Sequence, residues 1–231
     1  MKKSILLTII AFLLYLFQSL IRGIIIGTFH ANESVAEICS ILIVLAIVFL
    51  MIGKRESLSY YGVCMWKGER FLKTNCFLFL VPLVNLPYLF SGAKINIVLA
   101  LISSVFISIM EELIFRSFLC RSIEQISNQN KAIIFSSVLF GCLHLLNIGK
   151  YPLVFILLQV TYAFAMGIAF SVVFYECKSI LPCILVHIAV DFFGAFETEP
   201  ILIADIVGTV VCSFCALYFY CFARKRRKSE T

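Results

Sequence analysis

Charge is scarce in this sequence. Asp, Glu, Lys and Arg make up 14% of its 231 residues, against about 25% in an average soluble domain. Hydrophobic residues reach 62%, and the mean hydropathy is +1.04. That balance excludes a disordered chain, a collagen-like fibre and an ordinary soluble domain, and leaves a polytopic membrane protein. No His-Glu-x-x-His zinc signature occurs, which removes the commonest helix-borne metalloprotease motif. There is no convincing internal repeat of the kind that marks inverted-repeat transporters. Histidine is nearly missing, with three residues in the whole chain, so the position of each carries information. The ten cysteines mostly lie within apolar runs, where cysteine behaves as a small apolar residue. Cys212 and Cys215 form a CxxC spacing, but mid-helix, without the loop context of a redox or zinc site.

What is abundant is long apolar runs. A spanning helix needs about 20 apolar residues, and hydropathy marks eight stretches, near 4–29, 35–53, 75–91, 95–126, 132–148, 152–175, 180–196 and 200–222. The expected fold class is all-α, a polytopic membrane helical bundle of about eight transmembrane helices. The third and seventh runs are short, and the fourth is long enough to extend into the interface. The first run has no small-x-small cleavage site behind it and reads as a retained helix rather than a signal peptide.

The formal charge of +6 is a topology signal rather than a nucleic-acid footprint. With the N-terminus inside, all but four of the 19 basic residues fall on cytoplasmic segments. The exceptions are Lys94 and Lys150 in outside loops and Arg22 and Arg116 within spans. This bias predicts both termini in the cytoplasm, in the plasma membrane if the source is bacterial. The connection 54–74 mixes Tyr60, Tyr61, Trp66 and Phe71 with basic residues, as an interfacial helix would. The tail from Arg224 to Lys228 suits anionic lipid.

In such a chain the informative residues are those that cost free energy in lipid, a few kcal/mol or more for each ionisable group. They form three clusters. Glu112 and Arg116 are four apart and share a helix face, so they are expected to pair. Glu111 is rotated by about 100° and is free to face a cavity, where a carboxylate can serve as general base. His144 follows in the next long run, with Asn147 beyond it. His187 and Asp191 again sit one turn apart, and an Asp at that spacing can orient an imidazole. Each cluster alone also fits plain packing or structural pairing. Gathered into one interior, they would form a hydrolytic site inside the membrane. Gln159 and Asp205 lack a pattern and read as packing or cavity-lining residues.

Three motifs in order, Glu111-Glu112-x-x-x-Arg116, Phe140-x-x-x-His144 and His187-x-x-x-Asp191, resemble the CPBP family. This is the CAAX-protease and bacteriocin-processing (Abi) group, which includes the type II CAAX prenyl endopeptidases. The contexts Phe140-Gly141 and Leu181-Pro182 are also similar, and the resemblance covers about 95–196. Three regions follow: 1–94, N-terminal helices and cytoplasmic loop; 95–196, the catalytic core; 197–231, the last helix and basic tail. The resemblance implies an intramembrane endopeptidase acting on membrane-associated or leader-type peptides. Glu111 would activate water and His144 would hold it. His187 and Asp191 would stand where the oxyanion develops, with Glu112 and Arg116 as a supporting ion pair. Asp191 departs from the Asn of the eukaryotic enzymes. An ionised Asp cannot donate to an oxyanion, so Asp191 either holds a proton or orients His187. No cofactor is expected; the alternative is Zn2+ on Glu111, His144 and His187 with water as fourth ligand. The expected partners are a peptide or membrane-protein substrate and the lipid bilayer, with no nucleic acid. Two other classes compete: a non-catalytic bacteriocin-immunity or scaffold protein, and a proton-coupled transporter using the same ionisable groups.

Overall fold

The computed structural model describes residues 2–52, 58–66, 71 and 75–230. These form helices throughout, and the described residues include no strand beyond an isolated Ile148–Tyr151 bridge. Helix α1 spans Lys2–Phe29 and α2 spans Glu33–Ile52. A 3₁₀ helix, Cys76–Phe90, follows with Pro82 and Pro87 inside it. Each proline lacks the N–H that a regular α-helix would use. Helix α3 covers Ile97–Ile126, α4 Gln129–Leu143, α5 Leu153–Cys177, α6 Leu181–Gly194 and α7 Leu202–Glu230.

Six of these, α1, α2, α3, α4 with its terminal turn, α5 and α7, are long and apolar enough to cross a membrane. The 3₁₀ helix and α6 have 15 and 14 residues. An α-helix of α6's length rises about 21 Å, less than the roughly 30 Å hydrocarbon core. Large apolar side chains face outward on α1 (Phe17, Leu20, Ile24) and α7 (Ile203, Phe214, Leu217). On a soluble protein such a belt would drive association; around a bundle of apolar helices it is the surface that lipid covers. The chain is an integral membrane protein.

Helix starts are written locally. Asn96 and Asn128 accept from the backbone N–H groups of Leu99 and Lys131, capping α3 and α4. Pro182 occupies the first turn of α6, where its missing N–H costs nothing. The tightest seam lies between α4 and α5. A Cβ on Gly141 would stand 2.9 Å from the Val160 carbonyl oxygen, and one on Gly167 would stand 2.8 Å from Ser137 Cα. Glycine at both positions lets two backbones approach without a side chain between them.

Helix α3 changes pitch in its middle. It runs as an α-helix over Ile97–Glu112, widens to a π-helix over Leu113–Leu119 and resumes over Cys120–Ile126. The Cys120 N–H reaches back to the Phe115 carbonyl, which also accepts from Ser136 Oγ at 2.9 Å. A carbonyl drawn outward by a neighbouring hydroxyl favours such a local widening. Six consecutive residues, Leu113 to Phe118, are buried, so this stretch is enclosed on all sides.

The interfacial-helix expectation for 54–74 falls largely outside the described residues. The part that is described, 58–66, is a turn tucked into one end of the bundle. Tyr61 is buried against Phe118, its carbonyl accepts from Ser117, and the Gly62 carbonyl accepts from Ile180 N–H at 3.0 Å. Gly62 has φ +74° and a Cβ there would meet the Phe174 ring at 2.6 Å. Only glycine satisfies both demands.

Candidate active site

The motif residues come from three helices. α3 supplies Glu111, Glu112 and Arg116, the end of α4 supplies His144, and α6 supplies His187 and Asp191. The two adjacent glutamates part company as their 100° separation requires. Glu112 is fully buried and its Oε1 lies 3.0 Å from Arg116 Nη1. Glu111 borders an internal cavity of about 1090 Å3, which His144, His187 and Asp191 also line.

His187 is the centre of the arrangement. Its Nδ1 is 2.8 Å from Glu112 Oε1, so Glu112 holds both the guanidinium and the imidazole. Its Nε2 faces the cavity side, 3.5 Å from Glu111 Oε2 and 3.6 Å from Asp191 Oδ1. The hydrogen bond that orients the imidazole thus comes from Glu112 on another helix. Asp191, one turn along α6, stands farther off and accepts from Ser108 Oγ at 3.0 Å.

Aromatic rings complete the floor. The Arg116 guanidinium carbon lies 4.4 Å from the Phe140 ring centre and 5.2 Å from that of Phe170, a cation held by one carboxylate and two π faces. The same Phe140 ring makes edge contacts with His144 and His187, both at 5.9 Å. His144 packs on Phe140 and borders the cavity; it caps the C-terminal end of α4, where the chain tightens into the turn His144–Asn147. Asn147 turns instead to Gln159, and Asp205 to Tyr88. Both Gln159 and Asp205 border the cavity.

Two participants carry no signal in the motifs. Tyr15, from α1, donates its O–H to Glu111 Oε1 at 2.7 Å. It sits in an unbroken apolar run, and its hydroxyl is the sole hint. Ser108 shares a four-residue spacing with Ser104 and Glu112, a polar stripe that points at α6. A zinc site on Glu111, His144 and His187 would need three donors converging on one point. Among the described residues no group of three His, Cys, Asp or Glu side chains is arranged to hold a metal ion.

Fold and site together define the class: a polytopic helical membrane protein with carboxylates and imidazoles gathered on a cavity between its helices. Within that class, residues 93–193, somewhat under half of the chain, are similar to the family model described as type II CAAX prenyl endopeptidase Rce1-like. That stretch holds all seven residues of the three motifs and excludes Tyr15. No curated protein and no solved structure matches the chain.

Proposed function

We propose that this protein is an intramembrane endopeptidase that hydrolyses peptide bonds with a glutamate-activated water. The observation that carries the reading is the opposite treatment of two neighbouring carboxylates. Glu112 is sealed against Arg116 and His187, whereas Glu111 borders the cavity with Tyr15 on one oxygen and His187 near the other. A general base needs the second environment: held in direction, yet reachable by water and substrate.

In the reaction Glu111 takes a proton from water as the water oxygen bonds to the scissile carbonyl carbon. Negative charge moves to the carbonyl oxygen, and His187, oriented through Nδ1 by Glu112, stabilises it with Nε2. His144 holds the incoming water from the facing wall. The C–N bond then breaks, and the proton on Glu111 passes to the leaving amine. Asp191, 3.6 Å from His187 Nε2, borders the same reacting space. Substrates are leader peptides, peptide precursors, small secreted peptides or the ends of membrane proteins.

The test compares peptides released by cells carrying the wild type and Glu111→Gln at matched abundance, with their ends read by mass spectrometry. Ends that appear with wild type alone support the peptidase. Identical profiles from a substrate-rich background would favour the immunity or scaffold role. Activity lost to chelation and restored by zinc would replace the metal-free mechanism.

A further inference from the structure

The cavity is a well with one open end. On α1, α3, α5 and α6 its lining residues reach a common floor, where Tyr15, Glu111, Phe170 and His187 lie against one another. On α3 they run as a stripe from Asn96 at the helix start to Glu111, with none beyond. Fifteen residues of helix span about 22 Å, so the mouth lies that far from the carboxylate. On α1 the lining begins at Tyr15 and continues toward the helix end; on α5 it ends at Phe170, and on α6 it begins at His187. The floor is therefore Tyr15, Glu111, Phe140, Phe170 and His187.

Below the floor the bundle is shut. Arg116, Phe115 and Ser117 are buried there, and the 58–66 turn is tied to α3 and to the start of α6 through Tyr61 and Gly62. At the rim Lys94, Asn96 and Glu197 are exposed.

The two ends differ in charge. The closed end carries Arg121, Lys131 and Lys178, with Arg224, Lys225 and Arg226 at the end of α7, against the acids Glu124 and Glu176. An Arg226–Glu176 ion pair joins the ends of α7 and α5 there. The open end carries Lys94 and Lys150 with Glu33, Glu37, Glu197, Glu199 and Asp205. Lysine and arginine are retained on the cytoplasmic side, and acidic residues do little to topology. The closed, basic end is then the cytoplasmic one.

We propose that the site is entered from the non-cytoplasmic face, and that it takes peptide segments exposed on that face rather than cytosolic chain ends. The direction of entry follows from the well and the charges alone; the peptide occupant rests on the peptidase reading above. A volume of about 1090 Å3 lies just above the roughly 300–1,000 Å3 of small-ligand pockets, which suits a short extended segment. Such a segment must descend the well to bring its scissile bond to Glu111.

Single cysteines placed along the well test the direction. Lys94→Cys at the rim and Ser103→Cys in the wall are treated in intact cells with a small, membrane-impermeant thiol reagent, with wild type as background. Lys178→Cys marks the opposite face. We expect the first two to label in intact cells and Lys178→Cys to label after permeabilisation alone. Ala100→Cys replaces Ser103→Cys if that variant is not made at normal abundance. Wall positions that label solely from the Lys178→Cys side would overturn the proposal, as would a rim position that needs permeabilisation. Labelling requires no turnover, so it stands even if Glu111→Gln leaves every peptide unchanged. In the peptide comparison, wild-type-dependent ends should map to segments outside the membrane. Ends mapping to cytosolic segments would sustain the peptidase and defeat this direction of entry.

Discussion

Glu111 and Glu112 are the same residue type at adjacent positions, and the structure assigns them opposite sensitivities. Glu112 Oε1 lies 3.0 Å from Arg116 and 2.8 Å from His187 Nδ1, and neither member of the Glu112–Arg116 pair is exposed. Replacing Glu112 with Ala strands a guanidinium against two phenylalanine rings. Each ring returns about 0.5–2 kcal/mol, while removing one partner of a buried ion pair costs about 3–5 kcal/mol. For a chain of this length 1 kcal/mol moves the midpoint by about 2–4 °C. The expected fall in Tm is therefore about 6–20 °C, measured by thermal unfolding in a mild detergent. Glu112→Ala with Arg116→Met should recover much of that loss, because the uncompensated charge leaves with its partner. Glu111→Gln gives up one charge and retains an acceptor for Tyr15, so its Tm should shift by no more than a few degrees. Equal shifts for Glu111→Gln and Glu112→Ala would refute the reasoning. So would a double variant whose loss is simply the sum of the two single ones.

Two further outcomes bear on the site itself. Tyr15→Phe keeps the edge contact with Phe115 at 6.1 Å and removes the hydroxyl that directs Glu111. A hydrogen bond to a charged group is worth about 1.5–3 kcal/mol, so Tm should fall by about 3–12 °C and cleavage should slow by about tenfold or more at matched abundance; unaltered rates would exclude Tyr15 as a positioning residue. Asp191→Asn should keep activity, because the amide oxygen still accepts from Ser108 and the side chain still borders His187. Complete loss at normal abundance, read from the released peptide ends, would show that the carboxylate itself is required.

Much of the architecture was legible in the chain. Runs of about 20 apolar residues have one low-energy fate, since a backbone in lipid must satisfy its own hydrogen bonds. The short third and seventh runs were visible as such, and they became the 3₁₀ helix and α6. The split between Glu111 and Glu112 also follows from sequence, because 100° per residue cannot put neighbours on one face. The same rule joined Glu112 to Arg116.

Tertiary structure decided the rest. Four-residue spacing offered Asp191 as the partner that orients His187, yet Glu112 holds Nδ1 from another helix, a contact no local period reveals. In the π-wound stretch of α3 the Phe115 carbonyl accepts from Ser136 of α4, a contact that exists only once the helices are packed. Tyr15 reaches Glu111 across 96 positions, and a lone hydroxyl in an apolar run cannot announce its partner. The well, too, is a property of the bundle. Each helix contributes a few lining residues, and the floor they share appears when the helices stand side by side. Sequence determined which segments enter the membrane and which residues are costly there, because both follow from transfer of single side chains and backbone groups. Packing decided which costly residues meet and where the opening lies, because those depend on distances between helices that no single helix specifies.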